Sequence, residues 1–306
     1  MSDEKSKATL LKEEIMMKGS KGAATLNAEE IKKADDFCVG YKKFLDHSPV
    51  EREAVSYTLE LAKKAGFTEY DENASYNAGD KVYYVNRDKA IALAVIGKSG
   101  VKNGARLAIA HIDSPRIDLK PNPLYEDTNL ALFKTHYYGG LKKYQWTALP
   151  LSLHGTVVKL DGTKVNITWG DDENESCFCV TDLLPHLAKD QASKPLAKVF
   201  TGEDLNVLVG SRPYEDGNDE KDLVKLNVMS ILNKKYGIVE GDFLSAELCL
   251  IPSFKARDIG FDASMIGGYG HDDKVCAYPA LMASLDVETP EQTCVIGFIS
   301  MTGLTT

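Results

Sequence analysis

The 306-residue sequence contains no long apolar run, and this absence excludes the most direct way of crossing a membrane. A membrane-spanning helix needs about 18 or more consecutive apolar residues, a length that no stretch of the chain reaches. The Lys-rich N-terminus also lacks the apolar centre of a secretory signal peptide. We therefore expect a soluble, cytoplasmic protein without a membrane partner.

Cysteines and basic residues are also in short supply. Six cysteines are scattered along a chain that is long enough to bury its core without disulfides, so free thiols are expected. Strand alternation explains Cys177-Phe178-Cys179 as simply as half of a metal site does. The 36 Lys and Arg residues are outnumbered by 45 Asp and Glu, which gives a formal net charge of -9 at pH 7. This charge disfavours nucleic acid and anionic membranes as partners.

Hydrophobic patterning divides the chain into four segments. Residues 1–26 are predicted to form a flexible N-terminal arm, and residues 27–120 show helical spacing followed by alternating strands. Residues 121–245 are rich in hairpins, and residues 246–306 return to a strand, helix and strand pattern. We predict an α/β domain in two parts, 27–120 and 246–306, interrupted by an inserted β-rich domain at 121–245.

Local signals place the elements within these segments. Asn27 and Glu30 form a capping box, and Ser48 is predicted to cap a second helix that has Pro49 in its first turn. Asp161-Gly162 predicts a type I′ hairpin turn. Further strands are predicted at 81–85, 90–96, 107–112, 246–251 and 293–299, and helices at 223–236 and 273–285, the latter with Pro279 as a flaw.

The first cluster with chemical potential lies at the end of an apolar strand. His111 and Asp113 are two residues apart, so period-two alternation directs both to the same side before Pro115 ends the strand. A zinc-bound His usually donates its second ring N–H to a carboxylate or carbonyl, so Asp113 could orient His111. The pattern indicates a metal ligand, although a polar strand-to-loop junction explains it equally well.

The second cluster is a Gly-rich loop, 265–270, followed by Asp272 and Asp273 at the start of a helix. These carboxylates could bind a metal, or either of them could cap the helix and complement its dipole. The Gly-x-x-Gly spacing suggests phosphate binding only weakly, because no helix with the expected acidic ribose contact follows. No Gly-x-Ser-x-Gly occurs, which removes the simplest serine-hydrolase interpretation.

Four motifs occur together in a characteristic order: His-Ile-Asp-Ser-Pro at 111–115, Tyr-Gly-Gly at 138–140, Leu-Pro-His-Leu-Ala at 184–188 and Gly-His-Asp-Asp-Lys at 270–274. In this order the chain resembles the aspartyl aminopeptidase family of dinuclear zinc exopeptidases, particularly its bacterial branch. The resemblance runs from roughly residue 25 to residue 299. It implies a zinc-peptidase-like three-layer α/β/α core, interrupted by a mainly β lid or oligomerisation domain. It also implies two Zn²⁺ ions, peptide substrates and a homo-oligomer, which is shell-like in the family.

The resemblance also assigns roles to individual residues. His111 matches a terminal zinc ligand, Asp113 the catalytic carboxylate that supports it, and Asp272 the carboxylate that bridges two zinc ions. A bridged pair roughly 3.5–4 Å apart activates a shared water and polarises the scissile carbonyl. His271 is expected to be a neighbour of the site rather than a ligand.

Other residues that the resemblance implies are missing from the printed sequence. In the family, a strand such as 294–299 is followed by two glutamates, a general base and a zinc ligand, whereas this chain continues with Ser300-Met301-Thr302 and stops at Thr306. Two protein ligands fall short of the three that a catalytic zinc keeps. We therefore expect a C-terminally truncated and inactive metalloaminopeptidase. The alternatives are a non-catalytic relative that only folds, assembles or binds, and an unrelated metal-binding α/β protein.

Two departures from the family pattern bear on substrate preference. Eukaryotic members have Trp-Phe-Asp-Arg where this chain has Trp146-Thr147-Ala148-Leu149, and a second His where it has Asp190, so a preference for acidic residues is in doubt. A cation for an acidic side chain could come from any of several residues, namely Lys142, Lys143, Lys255 and Arg257. A structural role is expected for the remaining histidines, His47, His136, His154 and His186.

Overall fold

The computed structural model describes residues 6–17, 25–216 and 221–300. The helices are α1 (Lys7–Ile15), α2 (Ala28–His47), α3 (Glu51–Lys64), α4 (Lys189–Ala192), α5 (Leu223–Tyr236) and α6 (His271–Asp286). The strands are β1 (Thr68–Glu69), β2 (Lys81–Asn86), β3 (Ala90–Val95), β4 (Ala105–His111), β5 (Arg116–Asp127), β6 (Leu130–Tyr138), β7 (Leu151–Val158), β8 (Lys164–Trp169), β9 (Cys179–Val180), β10 (Val207–Gly210), β11 (Ala246–Pro252), β12 (Arg257–Ile259), β13 (Met265–Gly267) and β14 (Thr293–Ile299). Short 3₁₀ turns lie at Val101–Asn103, Lys143–Gln145, Leu196–Lys198 and Glu240–Ser245.

The chain forms two compact units, 1–41 and 42–306. In the first unit, helix α1 lies within the predicted arm and has no buried residue. The start of α2 has the predicted capping box: Glu30 N–H donates to Asn27 Oδ1 (3.0 Å), and Asn27 N–H donates to Glu30 Oε2 (2.8 Å). The sequence therefore identifies this helix start correctly, because both partners of the box are local.

The second unit contains a mixed five-stranded sheet in the order β1-β2-β3-β14-β4. Strand β14 is antiparallel to β3 and parallel to β4, with Ile299 opposite His111. Helices α3 and α6 pack against this sheet, whose strands bury Leu93 and Phe298. The outermost strand, β4, has the side chains of Leu107 and Ile109 largely exposed. The predicted α/β fold class is confirmed.

The second sheet is antiparallel, with seven strands in the order β8-β7-β11-β5-β6-β10-β9. Its core includes Phe133 and Leu153, which pack with Val228 and Leu232 of α5. Strand β11 was predicted to belong to the resumed α/β domain, but it pairs with β7 and β5 in this sheet. The sheet therefore extends beyond both ends of the predicted insertion, 121–245, and the division into domains stays a prediction.

The predicted cap of the second helix is wrong. Helix α3 has Val50 as its N-cap residue, without a side-chain hydrogen bond. Ser48 is fully buried, and its Oγ has no hydrogen-bond partner among the described residues. The reason is that Ser48 still belongs to the turn that ends α2, since its N–H donates to the carbonyl of Leu45. The predicted N-cap therefore lies two residues before the observed one, Val50.

The predicted hairpin exists, but its turn is of a different type. Strands β7 and β8 are joined by residues 159–163, and the N–H of Gly162 donates to the carbonyl of Lys159 (2.9 Å). Gly162 has a φ of +83°, whereas Asp161 does not have a positive φ. A type I′ turn at Asp161-Gly162 needs a positive φ at both residues. The carboxylate of Asp161 instead accepts the N–H of Thr163, which favours the longer loop.

The structure also bears on the predictions about cysteines, Pro279 and membrane helices. The six thiols are free, and helix α6 continues through Pro279. No helix in the described ranges combines the length and apolar character needed to cross a bilayer. Residues 301–306, where the resemblance places the two glutamates, lie outside the described residues.

Candidate metal centre

The two predicted metal ligands meet at one edge of the five-stranded sheet. His111 is the last residue of β4, and Asp272 follows the Gly-rich loop at the start of α6. The Nε2 atom of His111 lies 3.1 Å from Oδ1 of Asp272. Residues that are 161 positions apart in the sequence are thus brought into direct contact.

The carboxylate of Asp272 does not cap the helix. Gly270 is the N-cap residue, with a φ of +85°, and no side-chain cap hydrogen bond is present. Asp272 and Asp273 have non-helical dihedrals and are joined by a cis peptide bond. The Asp272 side chain is 93% exposed, so it faces solvent beside His111. This arrangement favours a ligand role over the capping alternative that the sequence left open.

The second ring nitrogen of His111 faces the main chain. Its Nδ1 lies 3.0 Å from the carbonyl oxygen of Asp113, whereas the Asp113 carboxylate is 3.7 Å away. The sequence prediction that the Asp113 side chain orients His111 is therefore corrected in one respect, because the nearest partner is the main-chain carbonyl. Since a carbonyl only accepts, Nδ1 carries a hydrogen, and Nε2 is the ring nitrogen that faces Asp272.

The Asp113 side chain is buried and hydrogen-bonded to Tyr138. It is 4% exposed, and the hydroxyl of Tyr138 donates to its Oδ2 (2.7 Å). Burial and this hydrogen bond raise the pKa of Tyr138 to about 12, so the phenol stays protonated at neutral pH. The guanidinium of Arg116 lies over the Tyr138 ring, 4.7 Å from its centroid. Tyr138 belongs to the Tyr-Gly-Gly motif, but the sequence does not predict its hydrogen bond with Asp113.

Lys274 fills the space beneath the Gly-rich loop. It is fully buried, and its Nζ donates to the carbonyl of Pro49 (3.0 Å) and lies 3.4 Å from Ser114 Oγ. Burial lowers the pKa of Lys274 to about 8, against the opposing negative charge of Glu51. A Cβ on Gly270 would lie 2.7 Å from this Nζ. The positive φ therefore favours glycine at 270, and a Cβ there would in addition press on the buried ammonium group of Lys274.

The donor set of the site fits a zinc ion in part. His111 Nε2 and Asp272 Oδ1, both atoms of the kinds that bind zinc, face each other 3.1 Å apart. Two ligands of one tetrahedral zinc, at bond lengths of about 2.0–2.2 Å, lie roughly 3.3 Å apart, close to the spacing of this pair. No group of three or more His, Cys, Asp or Glu side chains that could hold a metal occurs in the part of the chain that the structure describes.

The other polar residues singled out from the sequence are engaged elsewhere. Lys143 lies over the ring of Tyr137 (4.6 Å to the centroid), and Lys255 is 3.9 Å from the Asp171 carboxylate. Arg257 lies in β12, which pairs with β13 in a separate two-stranded sheet. His186 is exposed. None of these contacts identifies the cation that would select an acidic substrate.

Comparison with known proteins places the chain in a family. The family model described as aminopeptidase I zinc metalloprotease (M18) matches residues 44–298. A protein of Clostridium acetobutylicum named "Probable M18 family aminopeptidase 1" is 48% identical over 276 residues, which are 86% of this chain and 59% of the relative. The crystal structure of an M18 aminopeptidase from Thermotoga maritima has a TM-score of 0.86 at 42% identity, covering 92% of this chain and 61% of that chain.

A more distant likeness concerns the fold alone. The structure of the S. cerevisiae mApe1 dodecamer has a TM-score of 0.64 at 18% identity, covering 87% of this chain and 60% of that chain. The chain spans about three fifths of the length of the curated relatives it matches.

Proposed function

The chain belongs to the aminopeptidase I zinc metalloprotease family (M18), and from this membership we propose that the native protein is a zinc-dependent aminopeptidase. It would remove single residues from the N-terminus of peptides, with acidic residues as one substrate class to be tested. The match of the family model over residues 44–298 is the observation that carries the proposal.

His111 and Asp272 are the residues that would hold the metal, with Asp272 serving two Zn²⁺ ions as a bridge. The contact of 3.1 Å between His111 Nε2 and Asp272 Oδ1 supports this assignment. When bound, zinc supplies Lewis-acid polarisation of a carbonyl and lowers the pKa of a coordinated water. The protein itself fixes the tautomer of His111 through the Asp113 carbonyl and keeps the Asp272 carboxylate open to solvent. Asp113 would act from behind as the supporting carboxylate.

The competing function is a non-catalytic one, in which the protein only folds, assembles or binds. It is favoured by the small ligand set, since His111 and Asp272 are fewer than the three protein ligands typical of catalytic zinc. We propose that the remaining ligands come from chain that corresponds to the unmatched two fifths of the relatives. The discriminating observation is the coding sequence after Thr306, where an in-frame Glu-Glu pair would favour the enzyme.

Assembly and location form part of the same proposal. We propose a homo-oligomer in which the seven-stranded sheet acts as a lid or assembly domain, by analogy with the dodecamer of the yeast protein. The substrates would be peptides in the cytoplasm.

The experiment is an aminopeptidase assay of the zinc-loaded native protein, with peptides that begin with Asp, Glu, Leu or Lys. His111→Ala and Asp272→Ala should each lower kcat/KM at least about 1,000-fold, because each removes a metal ligand. His136→Ala and Asp262→Ala serve as matched controls on exposed residues of the same types and should retain full activity. Hydrolysis that survives Asp272→Ala, or that chelators do not inhibit, would contradict the proposal.

A further inference from the structure

We infer that Tyr138 is a positioning residue of the metal centre, which acts on His111 through Asp113. This inference rests on the proposed function and extends it to a residue whose hydroxyl is bonded to Asp113 rather than to either proposed ligand. Three side chains form the path: the Tyr138 hydroxyl, the Asp113 carboxylate and the His111 imidazole.

The first link is the hydrogen bond between Tyr138 and Asp113. At 2.7 Å it is a short bond from a neutral hydroxyl to a carboxylate, which is stronger than one between neutral groups. Asp113 is 4% exposed, so water does not readily replace this donor. A buried carboxylate that loses a donor changes its position or its protonation state. The hydroxyl of Tyr138 thus holds the buried carboxyl group of Asp113 in place.

The second link joins Asp113 to the imidazole. Both acceptors near His111 Nδ1 belong to Asp113: its carbonyl oxygen at 3.0 Å and its Oδ1 at 3.7 Å. The angle of the ring, and with it the direction of the Nε2 lone pair, depends on where Asp113 sits. Groups that hold a metal-binding His from behind commonly change metal affinity 10- to 100-fold when they are removed.

Tyr138 is rigid enough to pass this constraint on. In the β5–β6 register Tyr138 lies opposite Arg116, and the Arg116 guanidinium stacks over the Tyr138 ring. Arg116 is anchored by Glu51 (3.1 Å) and Asp118 (2.7 Å). The ring is therefore fixed by contacts that a Tyr138→Phe substitution leaves intact, because only the hydroxyl is removed.

The same strand supplies a matched control. Tyr137 precedes Tyr138 in β6, so its side chain is on the opposite face of the sheet, where Lys143 covers its ring. Tyr137→Phe removes the same hydroxyl from the same strand without touching Asp113.

The test is a competitive titration of the native protein with Zn²⁺ against a chromophoric chelator. We expect Tyr138→Phe to weaken zinc binding at least about 10-fold in a protein that still unfolds cooperatively, although at a lower temperature, while Tyr137→Phe binds zinc as the parent does. Suppose that His111→Ala abolishes zinc binding but Tyr138→Phe binds zinc as tightly as Tyr137→Phe does. That result would overturn the positioning role of Tyr138 and leave the proposed metal site standing. Zinc binding that His111→Ala leaves unchanged would overturn the proposed metal site as well.

A double-mutant cycle separates positioning from general structural damage. If Tyr138 acts through Asp113, then Tyr138→Phe should have no further effect on zinc affinity in an Asp113→Ala background. Asp113→Ser supplies the same background should Asp113→Ala fail to fold. Additive losses in the cycle would show that Tyr138 acts by another route, and would refute the inference.

Discussion

The imidazole of His154 lies between two carboxylates inside the molecule. It is 1% exposed, with Glu53 Oε1 2.9 Å from Nδ1, and Asp171 Oδ1 3.2 Å and Ser152 Oγ 2.9 Å from Nε2. Burial by itself lowers the pKa of His154, but the hydrogen bonds and charges of Asp171 and Glu53 outweigh it and raise the pKa from 6.5 to about 9. The expected structural role of this histidine thus takes a specific form, a buried cation that joins helix α3 to strand β7.

This histidine makes stability depend on pH. Because the pKa is higher in the folded state, its contribution is fully present below pH 6.5 and is lost as the pH rises through about 9. We expect urea unfolding to report a loss of about 3 kcal/mol across this range, which the variant His154→Gln does not show. His136→Gln, at an exposed histidine, is the control and should keep the parent's pH dependence. A parent curve as flat as that of His154→Gln would contradict the prediction.

Gly270 sets the entry to helix α6 beside the metal centre. Its φ of +85° is unfavourable for other residues, and a Cβ would lie 2.7 Å from Lys274 Nζ and 3.1 Å from Ser114 Oγ. We expect Gly270→Ala to destabilise the protein by about 2 kcal/mol or more in urea unfolding, since strain and steric overlap act together. Gly140→Ala, where no atom lies within 4 Å of the new Cβ, should change stability by less than about 0.5 kcal/mol. Equal effects of the two variants would refute the steric argument.

At the level of elements, β4 is one of the two edge strands of the five-stranded sheet. Leu107 is 67% exposed and Ile109 65% exposed on one face of this strand. An apolar edge strand invites pairing with other chains. We therefore expect the 306-residue polypeptide to associate heterogeneously, and the double variant Leu107→Lys, Ile109→Lys to reduce this association in light scattering. Leu160→Lys, at an exposed loop residue, is the control. A monodisperse parent would contradict the prediction.

The sequence predicts elements whose signals are local and misses those set by distant partners. The capping box of Asn27 and Glu30 is found, because both residues lie within one turn. The placement of β11 in the second sheet is missed, since its pairing with β7 depends on residues about 90 positions away. For the same reason the sequence can propose His111 and Asp272 as metal ligands from their residue types, but the contact of the Tyr138 hydroxyl with Asp113 is visible only in three dimensions.

For the molecule as a whole, zinc affinity depends on the number of protein ligands. With the two proposed for the described residues, His111 and Asp272, we expect the 306-residue polypeptide to bind zinc at least about 100-fold more weakly than the Clostridium acetobutylicum relative, because a missing ligand costs more than a missing outer contact. We also expect no turnover of Asp, Glu, Leu or Lys peptides. Calorimetric zinc titration and a fluorogenic assay of both proteins provide the measurement. Chelator-sensitive hydrolysis by the 306-residue polypeptide would refute the expectation.

The pairing of β14 with β4 also sets an order of events on the ribosome. His111 and its neighbour Ile299 are about 190 residues apart, and the intervening chain includes the whole seven-stranded sheet. At synthesis rates of about 5–20 residues per second, β4 waits roughly 10 to 40 s before β14 is translated. During this interval the antiparallel sheet can complete its pairings, while the edge that carries His111 cannot. The candidate metal centre is therefore completed after the antiparallel sheet, and until then β4 lacks the strand that pairs with it.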